Sequence, residues 1–507
     1  MKRAVLLIVV CLCGGLWSRV ADAATVGFDA ATAGAVWSAA LTYIAPRSLE
    51  PLTIPQMTIW GLNGLAALDP DLNTTLQDGQ VRLYGPNALL LALPAPTDND
   101  AAGWGKTASQ IAAAAYAASP ALQQAGTQAI VSSFFDELFN HFDPYSRYET
   151  PTVAAQNQLV IMGLAGTGLT LAAKSGRVVI SAVAADSPAE NAGLIPGMVV
   201  LSMDGRAAYP GALDTLNANM SGLAGSTTTL SLQDTSDDPP TEEQVTLTRG
   251  FIPPQTVFPE ASPGPGLVAL KITAFNKGTA DQFTTALAAL MAQRPAPTGL
   301  VLDLRGNRGG VLRQAVLVAD SLLPTGMIVQ TMGRDPDADQ SFKAEGADLT
   351  LGAKLAVLVD GQTASAAEIL AAALADNGRA VVIGSETLGK GLVQTLTSLP
   401  DGGELYVTWS RVLAPRGWPM QSLGVMPQVC TSLGPQMLET ELASLDKGSN
   451  LQAQAVAAAR TMRAPVAMDS VLQIRNQCPA DIGTDMDFTA ASRILASQAA
   501  YQAALLH

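Results

Sequence analysis

The sequence predicts a multidomain α/β protein, an α/β core with an inserted β-rich module and helical N- and C-terminal regions. Three observations predict it. With 507 residues and 48% hydrophobic content, the chain is long enough for three or four domains of roughly 100–200 residues, each with its own core. Between residues 266 and 428, β-type and helical patterns alternate, the mark of helices laid over a sheet. Between 157 and 251 the pattern changes to short β-type runs broken by Gly, Pro and Asp, which marks a separate small domain.

Met1-Lys2-Arg3, the apolar stretch 4–17 and Ala21-Asp22-Ala23 follow the charged, apolar, small-residue order of a cleavable signal peptide over 1–23. Export is therefore expected, with a bacterial periplasm as destination. Residues 24–150 read as mainly helical, with helices over 54–68 and 104–118 and one strand excursion at 81–93. Phe135, Leu138, Phe139 and Phe142 recur at helical spacing and form a stripe suited to a core or a dimer surface. The β-rich module occupies 151–252, with β-runs at 178–181, 199–203, 228–232 and 244–248. Pro253, Pro254, Pro259, Pro263 and Pro265 then predict a linker that cannot enter a sheet interior. The core spans 253–430: strand 267–272, helix to 291, strand 299–304, helix to 322, strand 355–360, helix 365–375 and strand 380–383. Residues 431–507 return to Ala-rich helix without a chemical signal.

Composition removes several function classes. A formal net charge of −14 repels nucleic acid, so no nucleic-acid partner is expected. The chain has two histidines, His141 and His507. A Ser/His/Asp triad needs a histidine beside its nucleophile, and histidine-cysteine metal sites need clusters, so neither is expected, and no cofactor is implied. Cys11 and Cys13 fall in the leader. Cys430 and Cys478 can form one disulfide in an oxidising compartment, a pairing that sequence leaves open.

A nucleophilic hydrolase without histidine needs lysine or a carboxylate as base, and lysine serves only when neutral. Thr387-Leu388-Gly389-Lys390-Gly391-Leu392-Val393-Gln394 fits that need. Its glycines let the backbone turn a lysine inward, and Gln394 is placed to hold the amine; a surface lysine in a Gly turn is the plain alternative. The candidate nucleophile is Ser365, where the buried run 355–359 gives way to a helix, at the positive end of the helix dipole. Ser365 with Glu368 also makes a capping box, so the serine alone decides nothing. In Asp303-Leu304-Arg305-Gly306-Asn307-Arg308-Gly309-Gly310, the paired glycines after a strand free backbone N–H groups to face an oxyanion. All three motifs sit at strand ends of one α/β core.

At these residues the chain resembles the C-terminal processing peptidases, or tail-specific proteases. That family carries Asp-Leu-Arg-x-Asn-x-Gly-Gly, Ser-Ala-Ser-Ala-x-Glu and Gly-Lys-Gly-x-x-Gln. This sequence shows them at 303–310, 363–368 and 389–394, with Thr363 in place of the first serine. The resemblance implies a crotonase-like serine peptidase core in which Ser365 is the nucleophile, Lys390 the general base and Gln394 its orienting partner. The amide of Ala366 and one from the Gly309-Gly310 pair would form the oxyanion hole, and Asp376 falls where some members have a supporting aspartate. It covers about 130–430, including a PDZ-like domain. There Gly166, Gly168, Leu169 and Leu171 resemble the loop and strand that bind a peptide's C-terminal carboxylate. The implied function is a serine endopeptidase that cleaves exported proteins near apolar C-termini, as a homo-oligomer and, as for some relatives, with an adaptor protein. Retinoid-binding proteins of the eye share this core fold, so a non-catalytic peptide- or ligand-binding scaffold is the alternative reading. The retained Ser365, Lys390 and Gln394 favour an enzyme, and the shortage of histidine argues against a tricorn-type relative.

Overall fold

The computed structural model describes residues 27–162, 165–184, 187–234, 239–252 and 254–505. The expected signal peptide, Pro253 and His507 lie outside them. The chain divides into two compact units.

The first unit comprises residues up to Leu41 and Thr53–His141. It contains most of α1 (Ala30–Arg47), then α2 (Ile54–Asn63), α3 (Leu65–Leu68), β1 (Asn73–Gln77), β2 (Gln80–Tyr84), β3 (Leu89–Pro94), α4 (Ala101–Ala118) and α5 (Pro120–Asn140). The single strand expected at 81–93 is instead an antiparallel three-stranded sheet, β1-β2-β3. Asp78 and Gly79 turn between its first two strands at φ 50° and 68°, the two-residue hairpin that Asp-Gly favours. Side chains start the long helices: Asp100 accepts from the Gly103 amide at 2.8 Å, and Ser119 from Leu122 at 3.2 Å. Phe135, Leu138 and Phe139 are buried, so that stripe is core.

The second unit comprises residues 42–52 and everything from Phe142 onward. It opens with β4 (Arg147–Glu149) and α6 (Pro151–Met162). The β-rich region follows: β5 (Ala165–Gly166), β6 (Leu169–Lys174), β7 (Arg177–Val183), α7 (Pro188–Asn191), β8 (Val199–Met203), β9 (Arg206–Ala207), α8 (Leu213–Asn219), β10 (Ser221–Gly222), β11 (Thr227–Asp234) and β12 (Thr241–Thr248). Its main sheet runs β12-β11-β8-β7-β6, with β6 at one edge. Leu171, Ile180, Val200, Leu216, Leu230 and Leu232 share its core.

The core elements are β13 (Val257–Glu260), β14 (Leu267–Ile272), α9 (Thr279–Met291), β15 (Gly299–Asp303), α10 (Leu312–Asp320), β16 (Gly326–Gly333), β17 (Gln340–Ala344) and β18 (Lys354–Val359). They continue with α11 (Ala366–Asp376), β19 (Val381–Gly384), β20 (Leu392–Ser398), β21 (Glu404–Leu413) and β22 (Val429–Cys430). The central sheet runs β13-β14-β15-β18-β19-β22, parallel except for β13. The proline-rich stretch read as a linker therefore supplies a strand. Pro259 is tolerated because β13 is an edge, where a missing N–H leaves no ladder bond unmade.

A parallel sheet must be covered on both faces. Leu302, Val357 and Val382 pack under Phe283, Leu287 and the buried face of α11, while Val301, Leu358 and Ile383 face the other way. Each such side chain contributes roughly 1.5–3 kcal/mol relative to exposure. The second face is covered by α12 (Pro435–Asp446), α15 (Asp485–Ala496) and α16 (Gln498–Ala504), with α13 (Ala453–Thr461) and α14 (Met468–Arg475) between them in the chain. The C-terminal helices thus complete the core instead of forming an appendage. Cys430 and Cys478 are bridged, with Cα atoms 5.7 Å apart. A second sheet, β17-β16-β21-β20 with β4 on β21, stands beside the motif loops.

Candidate active site

The three motifs lie at the C-terminal ends of β15, β18 and β19, which are neighbours in the central sheet. Ser365 occupies the sharp turn from β18 into α11 at φ 56°, ψ −119°. A left-handed serine costs about 1–3 kcal/mol unless its surroundings fix it. Here they do. Glu368, buried with 0% exposure, accepts the Ser365 N–H through Oε2 at 2.7 Å. The same Oε2 accepts the Lys390 N–H at 2.9 Å, while Oε1 takes the Gly389 N–H at 2.7 Å and the Thr387 hydroxyl. One carboxylate therefore fastens the Ser365 turn to the Lys390 loop. Burial pushes its carboxyl upward, and those four donors oppose the shift. Sequence reasoning read Glu368 as a helix cap; its cross-link to residues 387–390 joins segments about twenty positions apart, which local spacing does not reveal.

Asn307 does the equivalent for the glycine pair. It is fully buried; its Nδ2 donates to the Ile272 carbonyl at 2.8 Å and its Oδ1 accepts the Gly309 N–H at 2.8 Å. The Gly309 amide is thus committed. The Gly310 and Ala366 amides have no hydrogen-bond partner among the described residues. Both glycines are required by space: a Cβ on Gly309 would lie 2.8 Å from the Ser365 Cβ, and one on Gly310 2.1 Å from the Phe275 carbonyl oxygen.

Lys390 is half-buried, and its Nζ lies 5.1 Å from the centroid of the Tyr145 ring. Among the described residues Nζ makes no hydrogen bond, to Ser365 or otherwise. Gln394, expected to orient Lys390, donates to Thr408 Oγ1 at 3.1 Å instead. Thr408 Oγ1 donates in turn to Asp143 at 2.7 Å, and its N–H donates to Ser146 Oγ at 3.0 Å. Tyr145 and Gln394 are thereby tied to one segment, 143–146, which sequence reasoning placed before the β-rich module and gave no role at the site.

Asp376 is not at the site. It ends α11, roughly 15 Å along the helix from Ser365, and it pairs with Arg460 at 2.9 Å and accepts from Trp418 Nε1 at 2.9 Å. The remaining motif residues are architectural. Buried Asp303 bonds Arg305 at 2.8 Å, and Arg305 reaches Asp487 on α15 at 2.9 Å. Burial alone would raise the Asp303 carboxyl, but the guanidinium holds it below its ordinary value. Glu386, in the same loop as Lys390, has both carboxylate oxygens buried without a hydrogen bond; burial, with Glu368 adding to it, pushes it up to about 8 despite Arg475 at 3.9 Å. His141 stacks on Trp60 and lies 3.4 Å from Glu137. No metal-competent group of His, Cys, Asp and Glu occurs among the described residues.

In the β-rich region, the Gly166 amide is already bonded to the Gly250 carbonyl at 2.8 Å, so it is not open to a carboxylate as expected. Gly168, at φ 86°, has no partner for its amide among the described residues, and the Leu169 amide makes only a long bond, 3.4 Å, to Thr167. Leu171 is engaged by Asn217.

The model of the family described as "Peptidase family S41" matches residues 266–431. A carboxyl-terminal-processing protease of Synechocystis is 35% identical over 291 residues, 56% of this chain and 67% of the relative. A carboxy-terminal-processing protease of Bartonella bacilliformis is 30% identical over 60% of this chain and 69% of its own. The solved photosystem II D1 C-terminal processing protease is 27% identical, over 73% of this chain and 92% of that one, with a TM-score of 0.38.

Proposed function

The chain belongs to the carboxyl-terminal-processing proteases of peptidase family S41 and is a serine-type peptidase, and from that premise we propose that Ser365 is its nucleophile and Lys390 its general base. The observation that carries this reading is Glu368, which holds the backbone N–H of both residues on a single buried oxygen. For reaction, Nζ leaves the Tyr145 ring, and as a neutral amine it takes the Ser365 proton while Oγ attacks the scissile carbonyl. The oxyanion falls to the Ala366 and Gly310 amides, since the Gly309 amide serves Asn307. The proton passes to the leaving amine, and water then resolves the acyl-enzyme.

The β-rich region acts as a PDZ-like module. An apolar C-terminal tail adds as a strand beside β6, its carboxylate on the Gly168 and Leu169 amides. The substrates are exported proteins, cut near their C-termini, with a bacterial periplasm as the compartment.

Cleavage of an unfolded test protein with an apolar tail, by the purified chain and by Ser365→Ala, Lys390→Ala and Lys390→Arg, tests the dyad. All three variants should lose about 100-fold or more in rate. Arginine keeps the charge but cannot give up its proton, so an active Lys390→Arg enzyme would refute lysine as the base.

A further inference from the structure

The edge strand β6 is not open along its length. In an antiparallel pair, alternate residues exchange both N–H and C=O with the partner strand, and on the outer side of β6 Leu171 is such a residue. Its N–H donates to Asn217 Oδ1 at 2.9 Å, and its C=O accepts from Asn217 Nδ2 at 3.0 Å. A primary amide has the donor and acceptor of a peptide group, so Asn217 makes both bonds that one residue of an added strand would make. The half-buried side chain comes from α8, which packs on β6 and is anchored by buried Leu216.

We propose that Asn217 is the specificity-determining residue of tail capture, a stand-in for one tail residue that is displaced when the tail adds to β6. The inference rests on the capture reading above. With the carboxylate on the Gly168 and Leu169 amides, the last tail residue lies opposite Leu169. The third from last lies opposite Leu171, by the two-residue period of a strand. Only a residue offering both N–H and C=O there replaces what Asn217 gives up. Proline at that position leaves the Leu171 carbonyl without a donor. Tails that pair poorly thus lose to an intramolecular competitor already in place.

The test uses the full chain carrying Ser365→Ala, so that the probe is not cut, and a fluorescein-labelled peptide ending Ala-Leu-Ala. Its amidated form and a form with Pro third from last accompany it. Asn217→Ala and Asn217→Leu should each tighten Kd for the free acid about tenfold, because two competing hydrogen bonds are gone. The amidated and Pro peptides should bind poorly throughout. Hydrogen exchange at the Leu171 amide should be slow in the parent, fast in Asn217→Ala, and slow again with peptide bound. Unchanged exchange at Ile180 would show that the variant is folded. Free-acid binding that is present in the parent but no tighter in either variant overturns the role of Asn217 and leaves capture standing. Peptide that binds no form of the chain overturns capture and this inference together.

Discussion

Around Ser365 the backbone is fixed by side chains withdrawn from solvent, Glu368 and Asn307 among them, each holding several partners at once. At the edge of β6, one half-buried asparagine holds one residue. Loss of any single bond near Ser365 leaves a buried group without a partner, whereas under the capture proposed above the bonds of Asn217 are ones that a tail would remake. The contrast shows where rigidity is required. Groups that react tolerate displacements of well under an ångström, so the proposed dyad needs a fixed backbone, while the proposed capture gains by remaining exchangeable.

Breaking the rigid side should have the largest effect. Glu368→Ala strands four donors, two of them buried, and we expect a loss of about 3 kcal/mol or more in urea unfolding and about 100-fold in cleavage rate. Asn217→Ala, by contrast, should cost about 1 kcal/mol, the net value of a bond pair that water partly replaces. Gly310→Ala forces a Cβ against the Phe275 carbonyl at φ 141° and should cost about 2–3 kcal/mol with a matching loss of activity. Equal losses in Gly310→Ala and Asn217→Ala would erase the distinction between the two regions.

A smaller effect sharpens the comparison through pH. Folding raises the Glu386 carboxyl to about 8, against an ordinary value near 4.5. Between those values the folded chain holds a proton that the unfolded chain has released, so stability falls as pH rises from about 5 to 8. Glu386→Gln should flatten that fall by up to about 1.4 kcal/mol per pH unit, read from thermal or urea unfolding at pH 5, 6.5 and 8. An unchanged slope would locate the pH dependence elsewhere, with Glu441, raised by burial to about 7, the next candidate.

That the three motifs would meet was legible because motif residues report their own strand ends. Asp303-Leu-Arg, Ser365 and Gly389-Lys390-Gly each follow an apolar β-run, and a parallel sheet gathers those ends. Asp376 lies away from Ser365, and the sequence held the answer: it is the eleventh residue of the uninterrupted helix that follows Ser365, which sets them far apart. The hairpin at Asp78-Gly79 was likewise readable from its turn chemistry. Other features were beyond local reading. Thr408 meets Asp143 across 265 residues, and Asn217 meets Leu171 only because α8 packs against β6. Neither pair leaves a periodicity or a motif, since one hydrogen-bonded contact constrains only two positions. The second helical layer was hidden differently: it was visible as an Ala-rich helical region, but which sheet face it covers depends on topology.

Arg305 carries one further implication. It stands in the loop that bears Gly309 and Gly310, and it is completed by Asp487, 182 residues downstream. A ribosome making this chain finishes the serine, the lysine and both glycines well before that aspartate appears. Until it does, the Asp303-Arg305 pair lacks its second anchor and the sheet lacks its cover. The loop that carries Gly309 and Gly310 therefore gains its full support only once residue 487 has been made.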